Sequence, residues 1–485
     1  MSALGGAASG PALARLKRRA LSLGAANAFD YAMQFLLPIV LVRALDAATF
    51  GEYRLLWLAV GTLVGLATLN MPQTLFYFLP RQDAPTRRLY VHHTLLYLVT
   101  AGLAAAWIVS PLNPWAPQAL APLGKYGALV PAFLALWITA YMTEVLPVIE
   151  ERIRLAATFL VGFSALRVVL LATGAFFAED LELLLWLLVA AVLVKLAAHL
   201  VYVQRSHGLG GAWLRPALLW GHFRHAAPFG VSSALYTLRL QADQWIAAAH
   251  FALQSFAALT IAALLAPLIN VFRQSVNDAF MPSMSRAHAA GDLRGMLALN
   301  ARANLMVGSL LYPLLAFCFV FAEEIIAIVY TEQYLEAAAV MRVYIAGTVC
   351  LVIEVGSIVL LLKQGAFAMR MNAALLVVAV ALSLLGARSF GLPGAALGSV
   401  AAVYLDRLIM LRRVCVLTGV PFSQVQGWRR LGLTAAAAAA AGALGWAATA
   451  LWLPEAGPFA RVAAGAAVVG LAYLPWLAYV ARRQE

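Results

Sequence analysis

Apolar residues run along the chain in stretches of about 20, and charged, Pro-rich or Gly-rich segments separate them. A helix of that length crosses the hydrocarbon core of a bilayer, which is about 30 Å thick. The stretches predict spans at 20–43, 54–79, 89–110, 126–149, 156–178, 182–203, 226–250, 254–275, 303–322, 338–362, 368–388, 393–415, 431–453 and 459–480. The pattern therefore predicts an all-α polytopic membrane protein with about 14 transmembrane helices.

The order of these predicted spans divides the chain into three parts. Six spans precede a basic, His-rich connection, six more follow it, and a final pair closes the chain. We predict an N-terminal lobe at 1–221, a second lobe at 222–420 and a C-terminal helix pair at 421–485. Six spans followed by six indicate an internal duplication, which would give two pseudo-symmetric six-helix lobes.

Composition places the chain in a membrane. Of the 485 residues 64% are hydrophobic and only 11% are charged, and the mean hydropathy is +0.86. Soluble domains are about 45–50% apolar, so a soluble fold is excluded. The three cysteines lie in separate apolar runs without disulfide or metal spacing, and we interpret them as packing residues.

Basic residues concentrate in every second predicted loop. Arg81, Arg152, Arg205 and Arg286 mark four loops that would share one side of the membrane. Because Lys and Arg accumulate in cytoplasmic loops, we expect both termini to be cytoplasmic. The net charge of +13 then reflects topology and anionic inner-leaflet lipid, and we predict no nucleic-acid partner.

Several segments resemble bacterial polysaccharide and O-antigen flippases. The stretch 38–81 contains PIVLVRALDAATFGEYRLLWLAV and FYFLPR, and 227–268 begins APFGVSSALYTLRLQADQWIAAAH. MPSMSRAHAAGD at 281–292 resembles the turn that follows in that family, and IIAIVYTEQYLEAAAVMRV at 325–343 resembles a periplasmic helix. The resemblance covers most of 20–415 and points to the multidrug, oligosaccharidyl-lipid and polysaccharide (MOP) exporter superfamily.

The resemblance implies a function in surface polysaccharide biosynthesis (O-antigen of lipopolysaccharide, capsule or exopolysaccharide). A flippase of this kind moves a polyprenyl-(pyro)phosphate-linked oligosaccharide from the cytoplasmic to the outer leaflet by alternating access. We expect a monomeric, multi-pass protein of the bacterial inner membrane that is not an enzyme. Its expected partners are the lipid-linked oligosaccharide, the bilayer, and polysaccharide polymerase or glycosyltransferases.

The energy source and two other functions stay open at this stage. We expect no cofactor and no metal, and the resemblance is compatible with H⁺ coupling, Na⁺ coupling or use of the membrane potential. The alternative function is a cation-coupled drug or metabolite antiporter. A membrane glycosyl polymerase is less favoured, because the longest outside loops, near 111–125 and 323–337, hold no acid/base or nucleophile constellation.

Basic residues inside predicted spans are the first candidate site residues. Arg167, Lys195 and Arg239 fall in the fifth, sixth and seventh spans, where guanidinium and ammonium groups could bind an anionic head group. Asp243 lies four residues after Arg239, on the same helix face. The two could form a structural ion pair or line the cavity, and Arg167 and Lys195 could instead snorkel to an interface.

Polar residues of the first span form a second candidate group. Asn27, Asp30 and Gln34 are spaced along one side of the predicted helix and would line a cavity. The alternative is hydrogen bonding between helices, which averages about 0.6 kcal/mol per contact in membrane proteins.

The remaining candidates lie in the fourth, eighth and tenth spans. Arg273 could be the first docking point of a pyrophosphate near the cytoplasmic face, or could begin a solvated loop. Glu354 and Glu144, with Asp30, are candidates for ion coupling, because a carboxylate in a low-dielectric setting can exchange protons or bind a cation. Satisfied structural acids are the alternative for Glu354 and Glu144.

Overall fold

The computed structural model of the protein describes residues 10–177, 180–263 and 265–482, and every regular element in these ranges is a helix. The predicted all-α class is therefore confirmed. Ten of the described helices are long and apolar enough to cross a membrane. The number fourteen stays a prediction.

The chain forms two compact units, and the division between Thr237 and Leu238 falls within one helix. The helices of the first unit are α1 (Gly10–Ala44), α2 (Ala47–Ala67), α3 (Met71–Phe78), α4 (Ala84–Val109), α5 (Leu129–Thr139), α6 (Met142–Ile149), α7 (Ile153–Gly174), α8 (Leu181–Ser206) and the first part of α9 (Pro216–His250). Two 3-10 segments, Leu79–Arg81 and Gln118–Tyr126, join them. Helix α1 packs against α7, α4 against α5, and α8 against both α5 and α7.

One buried acid ties three elements of the first unit together. Glu52 of α2 accepts a hydrogen bond from the Tyr126 hydroxyl across 2.5 Å, and the Lys125 ammonium lies 2.8 Å from the same carboxylate. The Tyr126 oxygen in turn accepts the backbone N–H of Leu181, the first residue of α8. The sixth predicted span is thereby fixed at its beginning.

Two adjacent histidines hold the connection between α8 and α9. The His92 ring stacks on Trp213 with 4.3 Å between centroids and 11° between planes. Nε2 of His93 accepts the backbone N–H of Arg215 across 3.0 Å. The basic, His-rich connection between the sixth and seventh predicted spans is therefore folded against α4.

Among its described residues, the second unit contains the end of α9 and nine further helices. They are α10 (Leu253–Ala262), α11 (Leu265–Ala289), α12 (Leu293–Val320), α13 (Ala322–Val329), α14 (Ala337–Leu351), α15 (Gly356–Leu361), α16 (Gly365–Thr418), α17 (Trp428–Trp452) and α18 (Pro458–Arg482). A 3-10 turn, Glu332–Tyr334, precedes α14. Buried apolar side chains of α11, α12, α15 and α16, among them Met284, Leu297, Ile358 and Leu375, form one core cluster.

Some predicted spans differ from the helices that form. The predicted eighth span is divided between α10 and α11, and the predicted tenth span between α14 and α15. The predicted seventh span lies in α9, which is not among the ten spanning candidates because polar and charged residues dilute its apolar stretch. The predicted final pair corresponds to α17 and α18.

The continuous element α16 is a hairpin of two helices. Gly391, with φ 64° and ψ −145°, breaks it, a backbone conformation that favours glycine. Beyond the break Gly394 packs on Gly386, and Gly398 packs on Ser383, so the two halves run antiparallel. A Cβ at Gly398 would lie 2.1 Å from the backbone nitrogen of Ser383, which means that only glycine permits this approach. A helix break thus lies where the eleventh and twelfth predicted spans are divided.

Candidate functional site

Two cations of the first unit converge on tryptophan rings. Arg167 of α7 places its Cζ 5.3 Å from the Trp57 ring centroid and 5.8 Å from the Trp137 ring centroid. The Lys195 ammonium of α8 lies 5.1 Å from the centroid of the same Trp137 ring. The two indoles meet edge to face, with 5.2 Å between centroids. Each distance falls within the range of a cation–π contact, so both positive charges contact the Trp137 ring.

Each of these two cations also has a carboxylate partner on another helix. The Lys195 nitrogen lies 2.5 Å from Glu144 of α6, and an Arg167 nitrogen lies 3.8 Å from Asp30 of α1. Lys195 and Arg167 are mostly enclosed by protein, with 8% and 13% of their side-chain surfaces exposed. Snorkelling to an interface is therefore not what these side chains do. We call Trp57, Trp137, Arg167, Lys195, Asp30 and Glu144 the cation–aromatic cluster.

The polar row of α1 is only partly brought into this cluster. Gln34 donates a hydrogen bond to Asp30 across 2.6 Å, and Asp30 faces Arg167 as described. Asn27 and Gln34 are exposed on the helix, whereas Asp30 is half-buried. Asp30 thus makes a contact between helices, whereas Asn27 and Gln34 leave polar groups exposed, and the lining of a cavity by this row stays a prediction.

In the second unit, Arg239 finds its acid on a distant helix. Its guanidinium donates to Asp406 of α16 across 3.1 Å, and Arg407 lies 3.2 Å from the other oxygen of that carboxylate. Sequence reasoning looked for the neutralising charge at Asp243, one turn along α9, and overlooked Asp406. Asp243 is 2% exposed and accepts a hydrogen bond from the Tyr344 hydroxyl of α14 across 2.7 Å. The two candidates are thus joined to two further helices.

Arg273 pairs with Glu354 at the break between α14 and α15. The two side chains approach to 2.6 Å, and a Glu354 oxygen also accepts the backbone N–H of Ser357. Arg273 lies inside α11, which continues to Ala289, so the interpretation as the start of a solvated loop is wrong. Two candidates that the sequence treated separately, a docking base and a coupling acid, therefore form one ion pair.

A buried amide keeps this helix break in place. The Asn304 side chain accepts the backbone N–H of Glu354 and donates to the Glu354 carbonyl, at 3.0 and 3.3 Å. Asn304 also donates to Asn300 and Gln426, and Gln426 donates to Asn300 across 2.8 Å. All three amides are at most 4% exposed. Since unpaired backbone groups are costly inside a membrane, the network replaces helical hydrogen bonds that the break removes.

Sequence reasoning missed four residues of these arrangements, namely Trp57, Trp137, Tyr344 and Asp406. The tryptophans lie in apolar runs, where an indole looks like ordinary packing. Asp406 stands in the predicted twelfth span beside Arg407, and that adjacent pair of opposite charges was the available signal.

The described chain is a many-helix fold of the multi-pass membrane class in which buried basic residues are paired with acids of other helices. Residues 150–339 match a family model described as polysaccharide biosynthesis protein. No curated protein matches the chain by sequence.

Solved structures of transporters share the fold. The chain is similar to the lipid II flippase MurJ in an inward closed conformation, with a TM-score of 0.72, 11% identity, and coverage of 95% of this chain and 99% of that chain. It is also similar to an inward-facing multidrug resistance MATE family transporter of the MOP superfamily (TM-score 0.65, 14% identity, 80% of this chain and 96% of that chain). A Vibrio cholerae MATE transporter has a TM-score of 0.53 at 15% identity and covers 84% of this chain and 97% of its own. The family match confirms the predicted resemblance to polysaccharide biosynthesis proteins, and the chain shares the fold of a transporter of the MOP superfamily.

Proposed function

We propose that the protein translocates a polyprenyl-(pyro)phosphate-linked oligosaccharide from the cytoplasmic to the outer leaflet by alternating access. The product would serve surface polysaccharide biosynthesis, as O-antigen, capsule or exopolysaccharide. The observation that carries the proposal is the convergence of Arg167 and Lys195 on Trp137 within the helices of the first unit. The family match to polysaccharide biosynthesis proteins and the fold of a lipid II flippase support it.

Two cations that contact the same indole suit a phosphorylated head group. A guanidinium can bind phosphate oxygens in pairs, and an ammonium adds a mobile point charge. Both side chains are removed from bulk water, so a charge–charge contact there is screened less than at the surface. The flanking acids Asp30 and Glu144 balance the charge when no phosphate is bound.

In this proposal the other candidates line the path or help the protein change conformation. The exposed amides of Asn27 and Gln34, on α1, would form hydrogen bonds with sugar hydroxyls. Arg239 and Asp243, each bonded to a different helix, fit a role in holding one conformation. Arg273 would meet the pyrophosphate if its bond to Glu354 opened.

The carboxylates Glu354, Glu144 and Asp30 are the proposed sites of energy coupling. Each faces a basic side chain, so uptake of H⁺ or Na⁺ by the acid would release the base. The membrane potential is the other proposed driving force. We further propose lobes at 1–221 and 222–420, a C-terminal pair at 421–485, a monomer in the bacterial inner membrane with cytoplasmic termini, and cooperation with polymerase or glycosyltransferases.

A cation-coupled drug or metabolite antiporter is the second candidate, and the shared fold with MATE transporters favours it. A membrane glycosyl polymerase has no comparable observation in its support.

A reconstitution experiment tests the proposal. Proteoliposomes would carry a fluorescent polyprenyl-pyrophosphate oligosaccharide in the inner leaflet, and a membrane-impermeant sugar oxidant would report its arrival outside. We expect movement with the native chain and a large loss with Arg167→Gln. Arg342→Gln, at a half-exposed arginine paired with Glu323, is the matched control and should transport normally. Exchange of a cationic dye without movement of the lipid-linked sugar would establish the antiporter instead.

A further inference from the structure

The two side chains of the Lys195–Glu144 pair differ more in their exposed fractions than those of the other ion pairs at span depth. Lys195 has 8% of its side-chain surface exposed, whereas Glu144 has 43%. In the Arg239–Asp406 and Arg273–Glu354 pairs no side chain exceeds 16% exposure, and in the Arg167–Asp30 pair the exposures are 13% and 19%. Of these four pairs, Lys195–Glu144 has the acid that is most open to its surroundings.

The acid of this pair is also the one held by fewest bonds. Asp406 serves Arg239 and Arg407, and Glu354 accepts a backbone N–H in addition to Arg273. Among the described residues, Lys195 is the one hydrogen-bond donor to the Glu144 carboxylate. Glu144 can therefore leave its partner without breaking any other hydrogen bond.

Lys195, in contrast, makes a second contact that would persist. Lys195 lies over Trp137, and Trp137 also carries Arg167. If Glu144 moved away, the ammonium would stay against the indole ring that Arg167 also contacts. A buried ammonium without an anion is strongly unfavourable, so the site would then take another anion.

We infer that Glu144 is an internal counter-ion that the phosphate of the substrate displaces from Lys195. In the empty protein the carboxylate neutralises the ammonium. When a phosphate arrives, Glu144 turns to its exposed side, and the phosphate accepts the Lys195 N–H groups and reaches Arg167. Return of Glu144 to Lys195 then expels the phosphate, which makes the acid a positioning residue for both binding and release.

This inference rests on the proposed function. It predicts that loss of one member of an ion pair increases the affinity for the ligand. Removing the negative charge of Glu144 should tighten the binding of a phosphorylated ligand, because the internal competitor is gone. The same change should slow transport, because nothing replaces the phosphate at the release step. A merely structural acid would instead weaken binding and transport together.

A double-mutant cycle tests the inference with a fluorescent short-chain polyprenyl pyrophosphate and protein in phosphatidylcholine nanodiscs. We expect Glu144→Gln to bind the probe about tenfold more tightly than the native chain and Lys195→Gln about tenfold more weakly. In the Lys195→Gln background, Glu144→Gln should bring no further gain. Glu182→Gln, at an exposed acid of the same helix as Lys195, is the control and should bind like the native chain.

The outcomes separate the inference from the proposed function. Equal or weaker binding by a folded Glu144→Gln variant overturns the inference, and so does a gain that persists without Lys195. If Glu144→Gln fails to accumulate, Glu144→Asp tests the same point. Its shorter side chain should compete less well for Lys195, so the Glu144→Asp variant should also bind the probe more tightly than the native chain. A native chain that neither binds the probe nor moves a lipid-linked sugar overturns the proposed function itself.

Discussion

The Arg239 guanidinium and the Asp406 carboxylate lie 3.1 Å apart, although 167 positions separate them in the sequence. Both side chains are about nine-tenths buried, and the same carboxylate also meets Arg407. One acid of α16 thus serves a base of α9 and a base of its own helix. The arrangement predicts unequal effects of removing its members.

Asp406→Asn should destabilise the second unit more than Arg239→Gln. Loss of the acid leaves two buried positive charges, and breaking a buried pair costs about 3–5 kcal/mol. Loss of Arg239 leaves Asp406 still paired with Arg407, so the cost should be smaller. The free energy of unfolding in detergent micelles measures both.

The control for this comparison is Glu323→Gln. Glu323 pairs with Arg342, but the two side chains are 61% and 33% exposed, so the change should cost no more than about 1 kcal/mol. Equal losses for Asp406→Asn and Glu323→Gln would contradict the structural role that we assign to Asp406.

Asn304→Leu should loosen the break between α14 and α15. The substitution preserves much of the side-chain volume but leaves the Glu354 backbone groups and the amides of Asn300 and Gln426 with fewer partners. Buried polar groups left unpaired cost about 1–3 kcal/mol each. We expect a loss of at least about 2 kcal/mol in unfolding free energy and faster hydrogen exchange at the Glu354 amide.

Asn27→Leu provides the comparison, because Asn27 is exposed on α1. It should leave both the unfolding free energy and the exchange at Glu354 unchanged. Slow exchange at Glu354 in the Asn304→Leu variant would show that another interaction maintains the break.

Apolar run length predicts where helices lie, but not which charged residues meet. The two halves of α16 and the final pair α17 and α18 follow from runs and glycines that are local in sequence. The interruption at Glu354 does not, because the amide that stabilises it comes from Asn304, 50 residues earlier. Lys195 and Glu144 are 51 residues apart, and Trp137, which joins Lys195 to Arg167, gave no polar signal at all. Pairing across helices depends on packing, which a periodic pattern along one helix does not contain.

Glu150, between α6 and α7, should make stability depend on acid pH. Burial acts to raise its pKa, but hydrogen bonds from His207 and Tyr202 and the charges of His207 and Arg152 outweigh burial, so the pKa lies below its ordinary value. A carboxylate with a lowered pKa in the folded state stabilises that state above its unfolded pKa of about 4.5. The contribution is lost as the pH falls through the lower, folded value.

Thermal unfolding between pH 6 and pH 3 measures this contribution. The midpoint temperature of the native chain should fall steeply in the lower part of that range. The midpoint temperature of Glu150→Gln should be lower than the native value at pH 6 and should fall less as the pH decreases. Glu182→Gln, at an exposed acid of α8, should follow the native curve. Parallel curves for the native chain and Glu150→Gln would mean that another acid sets the pH dependence.

Gly398→Ala should disrupt the hairpin of α16. The added methyl carbon would lie 2.1 Å from the backbone nitrogen of Ser383 and 2.4 Å from its Cα, and a backbone cannot yield as a flexible side chain can. The two helices must therefore separate, and we expect a loss of more than about 2 kcal/mol in unfolding free energy, toward the upper end of overpacking effects. Gly470→Ala in α18 is the matched control, because among the described residues no atom beyond the neighbouring backbone of its own helix lies within 4 Å of the methyl position. Alanine there should be neutral or stabilising by up to about 1 kcal/mol, since it has the higher helix propensity. If the two variants unfolded alike, the close approach of Gly398 to Ser383 would not contribute to the stability of the fold.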